Sequence, residues 1–552
     1  MILGLDMGGT HTDAVLIQGK KILHSVKILT RSDLLSSILE AIEKVTEGYD
    51  KQTIKRLVLS TTLTTNAIVQ NKMSRTGVII EPGPGLAHDF LKIHDDTYFV
   101  DGYIDHRGKV IKNFTRDSII KIKEELKKKN IQYAGIISKF STRNNTHEEE
   151  IAQLLNDQLV FSSQGHKISG NLNFPRRINT AYLNAAVYEI HKKFVSSVLE
   201  VMKKQNITAP VYMLKADGGT ILIEESVDVP VQTITSGPAA SIMGILGLAI
   251  NDECMVALDI GGTTTDIAII HKGAPLLEPE GITIDKYKTL IRALFTHSIG
   301  AGGDSTVKYD SGFIIGPERK DIAFCQGGKY VTPTDAARYL GLSDYGDLEL
   351  AKKAMLIISE QSGLPPEQAA QAIVNALTEK ITTTVQEMLT ELNQKPVYTI
   401  HELIEGSEIQ PTIVSVMGGP ASVFGRFIAE ALNCKLVIPE HVKVANAIGA
   451  GIARTTTEVT VHADTSQGFV KCIEEGVEEP AGKNFGLGDA EKFARSMLLK
   501  RVIRQGADER NIEIEITEAQ SFNMVRGFYT AGKNIRVKAQ VKPGIIKEFK
   551  NN

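Results

Sequence analysis

The chain of 552 residues has no tryptophan, only 4 cysteines and only 6% aromatic residues. Its Phe and Tyr residues stand singly except at 98–99 and 528–529, so the interleaving of basic and aromatic side chains that single-stranded nucleic acid requires is missing. Neither charge sign dominates. Lys and Arg number 62 against 65 Asp and Glu, a formal net charge of −3. Such a balance sets up no field to recruit nucleic acid or an anionic lipid surface, and neither partner is expected. Long apolar runs are lacking as well. The best candidate, SIMGILGLAI at 241–250, is interrupted by glycine and far too short to cross a bilayer. Cys254, Cys325, Cys434 and Cys472 form no C-x-x-C pair, the usage expected of free, buried thiols in a reducing compartment. The first residues, MILGLD, read as a strand without a basic or apolar leader. Together these features give a cytoplasmic protein as the expectation.

What is present is ample core material, 42% apolar against 23% charged residues, in a chain long enough for several domains. Two near-copies of one segment stand about half the chain apart: LDMGGTHTDAVLI from Leu5 and LDIGGTTTDIAII from Leu258. In each, apolar residues lead into a Gly-Gly turn and a second apolar run leaves it, the signature of a β-hairpin. Duplication at this spacing predicts an α/β protein with two related lobes, not a short-period repeat. Elsewhere strands and helices alternate. Residues 179–205 carry a helical apolar stripe with Asn179 or Thr180 as N-cap, and a long helix begins at Pro365. TIVSVM (412–417) reads as a buried strand followed by a helix, and 461–552 as a small α+β appendage. Residues 140–175 read as a polar, punctuated join, and the HEEE run at 147–150 as an exposed helix face. The expected domains are therefore 1–175, 176–460 and 461–552.

A Gly-Gly turn lets phosphate oxygens approach the backbone amides with no Cβ in the way. Gly8, Gly9, Thr10 and Thr12 in one copy, and Gly261, Gly262, Thr263 and Thr264 in the other, are the candidate phosphate contacts. Asp6 and Asp259, at the strand ends, are hard oxygen donors suited to Mg²⁺. Asp13 and Asp266, on the second strands, either orient the loop threonines or assist with metal or water. Two such loops suggest the two halves of one clamp on a triphosphate. Further Gly-rich turns fit this plan: SIGAGGDS with Gly302, Gly303 and Asp304, and VMGGPAS with Gly418, Gly419 and Pro420. Asp304 reads either as a general base or as a helix N-cap. NAIGAGIA (446–453) is a helix whose small residues permit close packing.

In this order the motifs resemble the actin, sugar kinase and Hsp70 superfamily of ATPases, with lobes of the ribonuclease H type. Within it the chain closely resembles the A-type subunit of the hydantoinase/5-oxoprolinase family, in a short form. The resemblance rests on DMGGTHTD, TTLTTNAIVQNK (61–72), RINTAYLNAAV (177–187), KADGGT (215–220), TITSGPAAS (233–241), DIGGTTTD, SIGAGGDS and MGGPAS, which span about 1–460. It implies use of ATP and Mg²⁺ to phosphorylate the carbonyl oxygen of a cyclic amide or imide, of the hydantoin or 5-oxoproline kind. Water then attacks and phosphate leaves. It also implies a B-type partner subunit, a homodimer, or both. Phosphoryl transfer suits such a site, because it needs mostly positioning and charge neutralisation.

Two departures stand out. The family's His-Gly before Thr-Thr is Leu59–Ser60 here, and its cysteine-bearing Gly-Pro run is reduced to GPERKDIAFCQGG (316–328). Alternatives from the same fold are a small-molecule kinase and an ATP-driven reactivating or assembly factor. Asn66 and the Arg176–Arg177 pair are candidates for the substrate end, with a solvated or salt-bridged arginine pair as the plainer reading. His11 reads as a solvated turn residue, and Cys325 has no nucleophilic role.

Overall fold

The computed structural model describes residues 1–31, 33–249, 253–278, 280–394 and 408–549. It bears out the duplicated α/β architecture. The described chain gathers into two compact units. One comprises Met1–Gly237, Glu278–Ala293 and Ala453–Lys547; the other comprises Pro238–Leu277 and Leu294–Ile452 with residues 548–549.

The first unit opens with the hairpin Ile2–Met7 and His11–Gln18. Its strands lie inside a six-stranded sheet, where Ile2–Met7 runs parallel to Arg56–Thr61 and His11–Gln18 runs antiparallel to Lys21–Leu29. All six residues of Ile2–Met7 are buried, the continuous apolar reading of a strand covered on both faces. Leu3, Leu5, Leu57 and Leu59 pack there with Ile38, Ile42 and Val198 of two helices. A four-stranded parallel sheet follows (Phe161–Gln164, Tyr133–Ser138, Thr76–Glu81, Thr97–Phe99). The same unit holds an antiparallel five-stranded sheet covered by the helix Leu487–Arg504, with its own apolar core.

The second unit repeats the plan. The hairpin Met255–Ile260 and Thr265–His271 runs beside the parallel strand Ile413–Met417, as the first hairpin runs beside Arg56–Thr61. The long helix Pro366–Asn393, with proline in its first turn, and the helix Ala421–Ala431 supply the core around this sheet. The stretch 241–250 belongs to a helix, Ser236–Leu248, and its last residue, Ile250, lies outside the described residues. Among the described residues no helix is long and apolar enough to cross a membrane.

Several local expectations need correction. The helix expected over 179–205 is two helices, Phe174–Ala186 and Tyr188–Lys204, and the first is capped by Asn173, which accepts from the Arg176 amide. The proline at 175 sets that start, a signal earlier in the sequence than the apolar stripe suggested. Residues 140–175 are not a plain join; they carry a helix at Thr146–Leu154 and the edge strand Phe161–Gln164. HEEE is an exposed face only in its second half, Glu149 and Glu150. His147 and Glu148 are buried, with His147 Nδ1 2.5 Å from Glu81 Oε1 and His166 Nδ1 2.6 Å from Glu148 Oε2. Arg177, expected to be solvated or salt-bridged, has no exposed surface and donates to the carbonyls of Asn171, Ser138 and Lys139. Burying a guanidinium this way is tolerable because carbonyl oxygens take most of its donors.

Candidate functional site

In the first hairpin the register sets Asp6 opposite Asp13 and Met7 opposite Thr12. Both carboxylates are buried. Asp13 also faces Lys27 on the third strand, whose Nζ lies 2.7 Å from Asp13 Oδ2. Burial holds the Asp13 carboxyl above the usual carboxylate range, with the Lys27 contact opposing the rise. The turn closes with Gly8 N–H donating to His11 O at 3.0 Å. Thr30 braces it from outside: its amide donates to Thr10 O and its hydroxyl to Gly8 O, while Thr12 Oγ1 sits 3.0 Å from Thr30 Oγ1. The amides of Gly9 and Thr10 find no acceptor among the described residues, and both residues are exposed. His11 is exposed, as expected. Free amides at an open glycine turn are the chemistry of an anion cradle.

Motifs quoted above converge beside this hairpin. The Thr62 amide donates to Met7 O, Ser236 Oγ donates to Thr61 O, and Thr64 Oγ1 lies 2.9 Å from Thr233 Oγ1. Thr235 holds a φ of 58° while its amide donates to Thr65 Oγ1, a left-handed conformation that a β-branched residue keeps only where its surroundings impose it. Asn66 is exposed at this edge. Ser60 is buried in its strand, and its hydroxyl has no hydrogen-bond partner among the described residues.

The second hairpin repeats the register, Asp259 opposite Asp266, and the closure, Gly261 N–H to Thr264 O at 2.9 Å. Gly262 and Thr263 likewise offer amides without an acceptor among the described residues. Its bracing is much heavier. Gly303 N–H donates to Gly261 O and Asp304 N–H to Gly262 O, so the SIGAGGDS loop lies along the turn. A Cβ on Gly302 would stand 2.4 Å from Gly261 O, and one on Gly418 2.1 Å from Ile260 O. Gly418, at φ 99°, is in the left-handed region as well, so glycine is required there for two reasons. Pro420 touches the same place: a Cβ on Gly303 would stand 2.5 Å from its Cγ. Gly419 has open space around it, and Thr264 is exposed.

Asp259 is oriented by Ser241, whose hydroxyl lies 2.7 Å from Asp259 Oδ2 and 3.1 Å from Asn446 Oδ1. Asp266 faces Ser298 on the strand Thr296–Ile299. Burial pushes its carboxyl up to about 6, Asp259 adding to the rise and Ser298 opposing it. Asp304 caps no helix. It accepts from Thr334 Oγ1 at 3.1 Å and pairs with Arg319 at 3.0 Å. The 446–453 stretch forms the helix Ala445–Ile452, and a Cβ on Gly449 would stand 2.1 Å from Ala240 O, the close packing expected of small residues. Cys325 is buried and its thiol is pushed up to about 12 by burial, first of all, and then by Asp335, which leaves no thiolate for nucleophilic work.

Sequence reasoning missed Lys27, Ser298, Ser241 and Arg319. Lys27 and Ser298 each sit on the strand that pairs with the outer hairpin strand, a pairing that the sequence does not give. The carboxylates of one hairpin turn are too few to hold a cation by themselves, and among the described residues no group of three or more His, Cys, Asp or Glu side chains converges.

The model of the hydantoinase/oxoprolinase family matches residues 177–459, and that of the hydantoinase/oxoprolinase N-terminal region matches 2–159. An uncharacterised protein of Methanocaldococcus jannaschii is 24% identical over 91% of this chain and 79% of its own. The acetophenone carboxylase gamma subunit of Aromatoleum aromaticum is 23% identical over 61% of this chain, which spans only 53% of that relative. Among solved structures, the ATP-dependent caprolactamase from Pseudomonas jessenii superposes with a TM-score of 0.77 at 17% identity, covering 99% of this chain and 88% of that one. The two share a fold.

Proposed function

The chain belongs to the hydantoinase/oxoprolinase family, and from that premise we propose that it is an ATP-using subunit that activates the carbonyl of a cyclic amide or imide for ring opening. The observation that carries this reading is the second hairpin. Its tip amides are free, its turn is pinned by the 300–305 loop and by Gly418, and its two carboxylates face each other. In this reading Gly261, Gly262, Thr263 and Thr264, with Gly302 and Gly303, receive nucleotide phosphate, and Gly418, Gly419 and Pro420 lie against the adenosine. Gly8, Gly9, Thr10 and Thr12 do the corresponding work in the first hairpin. Asp6 and Asp259 have the hard oxygen chemistry that suits Mg²⁺, which when bound neutralises phosphate charge. Asp13, Asp266 and Asp304 manage protons and water, Asp304 under the restraint of Arg319.

The carbonyl oxygen attacks the γ-phosphorus and ADP leaves. Water adds to the activated carbon, the ring nitrogen takes a proton as its bond to carbon breaks, and a second water releases phosphate from the acyl phosphate. An unstrained amide resists water, so phosphorylation of its oxygen supplies the electrophilic carbon that the amide lacks. The caprolactamase, an ATP-dependent enzyme acting on a cyclic amide, supports this substrate class. The gamma-subunit relative supports a multi-subunit assembly, here with a B-type partner, a homodimer, or both.

The test is MgATP turnover by the purified chain, read as ADP and free phosphate, across a panel of hydantoins, lactams and ketones. Phosphate release stimulated by a cyclic amide, and reduced about a thousandfold in Asp259→Asn, is the expected result. Turnover indifferent to every compound, with or without a B-type chain, sinks the reading in favour of an ATP-driven assembly factor. A stable phosphorylated product would make it a kinase.

A further inference from the structure

The stretch GPERKDIAFCQGG (316–328) brings a cation to the tip of the second hairpin. A Cβ on Gly262 would stand 3.3 Å from Arg319 Nη1 and 2.8 Å from Asp304 Oδ2. Arg319 thus lies against the turn whose Gly262 and Thr263 amides have no acceptor among the described residues. The backbone on both sides of it is fixed to Thr306. The Thr306 amide donates to Glu318 O at 2.8 Å, and the Gly316 and Lys320 amides donate back to Thr306 O at 3.1 Å and Thr306 Oγ1 at 3.3 Å. Lys380 of the long helix ties down the same stretch, donating to Ile315 O at 2.7 Å and to Gly300 O at 3.3 Å.

The guanidinium so placed is scarcely used. Among the described residues its one hydrogen bond runs from Nε to Asp321 O, at 3.4 Å. Nη2 stands 3.0 Å from Asp304 Oδ2 as an ion pair, and the side chain is 38% exposed. Nη1 and Nη2 together form one edge of the guanidinium plane, so both lie open to the same group. Glu318 does not compete for that edge, because Lys308 and Lys320 lie 3.4 and 3.6 Å from its carboxylate. An arginine edge beside free backbone amides is the donor set that phosphate oxygens take.

We propose, on the reading that the second hairpin holds nucleotide phosphate, that Arg319 is a catalytic residue that binds the terminal phosphoryl group of ATP, exchanging Asp304 for a phosphate oxygen. Position along the hairpin selects the terminal group. Gly418, on the adenosine side, meets the strand end at Ile260 O, whereas Arg319 meets the tip at Gly262. A polyphosphate laid from one to the other ends at Arg319. Without nucleotide, the ion pair keeps Asp304 from presenting a bare negative charge to an incoming polyanion. With nucleotide, the more highly charged phosphoryl group takes the guanidinium, and Asp304 is left to Thr334 and to water. Charge that spreads over the phosphoryl oxygens during transfer then meets a fixed cation.

Equilibrium titration of the whole chain in Mg²⁺, with either ADP or the non-hydrolysable ATP analogue AMP-PNP, is the test. In Arg319→Ala the analogue is expected to bind about tenfold more weakly, and ADP, which lacks the terminal group, to stay within about twofold. Turnover at saturating ATP should fall about a hundredfold. Arg319→Lys keeps the charge without the planar edge and should recover part of both losses. The pair is partly exposed, so the unfolding midpoint should stay put; if Arg319→Ala does not fold, the same affinity ratio in Arg319→Lys decides. Equal loss for both nucleotides, or loss for neither, overturns the role of Arg319 and leaves the nucleotide reading standing. An unmodified chain that binds neither nucleotide removes that reading, and the role of Arg319 with it.

Discussion

The two hairpins differ less in their own residues than in what the chain lays beside them. Each has the same paired carboxylates and the same turn closure. The first places Lys27 against Asp13, while the second places Ser298 against Asp266. The first turn is steadied by Thr30 and is otherwise open; the second is pressed between the 300–305 loop and Gly418. Burial raises the outer-strand carboxyl in both copies, against the pull of Lys27 in the first and of Ser298 in the second, where it reaches about 6. A neighbouring strand thus sets what each outer carboxylate faces, and a neighbouring loop sets how tightly each turn is packed.

Glycine substitutions give the largest contrast. Gly418→Ala forces a Cβ to 2.1 Å from Ile260 O at a φ of 99°, and is expected to destabilise the chain by more than about 2 kcal/mol and to abolish nucleotide binding. Gly302→Ala, whose Cβ would meet Gly261 O at 2.4 Å, should follow it. Denaturant unfolding measures both. Wild-type stability in either variant would mean that the second turn is not pinned as described.

Charge comes next. Lys27→Met leaves Asp13 buried beside no ammonium, at an expected cost of about 1–3 kcal/mol at neutral pH. Folding then favours the protonated acid more strongly than before, so the lost stability should return as pH falls and grow as pH rises through the raised native value. A loss independent of pH would assign Lys27 a packing role. In the second hairpin the same logic needs no mutation. Asp266 titrates near 6 when folded, against an ordinary 3.8. The folded chain binds the extra proton between these values, so in chelator its stability should fall by about 1–3 kcal/mol from pH 4 to pH 6. Asp266→Asn should flatten that slope. An unchanged slope in the variant would move the proton elsewhere.

Much of this was legible beforehand, and the reason is local. The hairpins, the strand Ile413–Met417 and the long helix from Pro366 are written in apolar periodicity and in turn residues, which act within a few positions. Lys27 and Ser298 required knowing which strand pairs with which. The first half of the HEEE run defeated reading for the same cause: His147 and Glu148 are satisfied by Glu81 and His166, partners that only the parallel sheet brings near. The motif of Gly418 suggests a nucleotide contact, yet its steric necessity comes from Ile260, far away in sequence.

The smallest effect on stability is the most discriminating for function. Gly9→Ala adds a Cβ with nothing within 4 Å, at a residue whose φ is not in the left-handed region, so unfolding should shift by no more than about 0.5 kcal/mol. Packing gives this position no reason to be glycine. Close approach of a phosphate to the Gly9 and Thr10 amides would, because a methyl group stands where an oxygen has to come. Nucleotide affinity in Gly9→Ala is therefore expected to drop about tenfold while the unfolding midpoint stays put, a separation that Gly418→Ala cannot show because it damages fold and site together. Should affinity and midpoint both be unchanged, the first hairpin is an inherited copy that no longer touches phosphate, and nucleotide binding rests on the second hairpin.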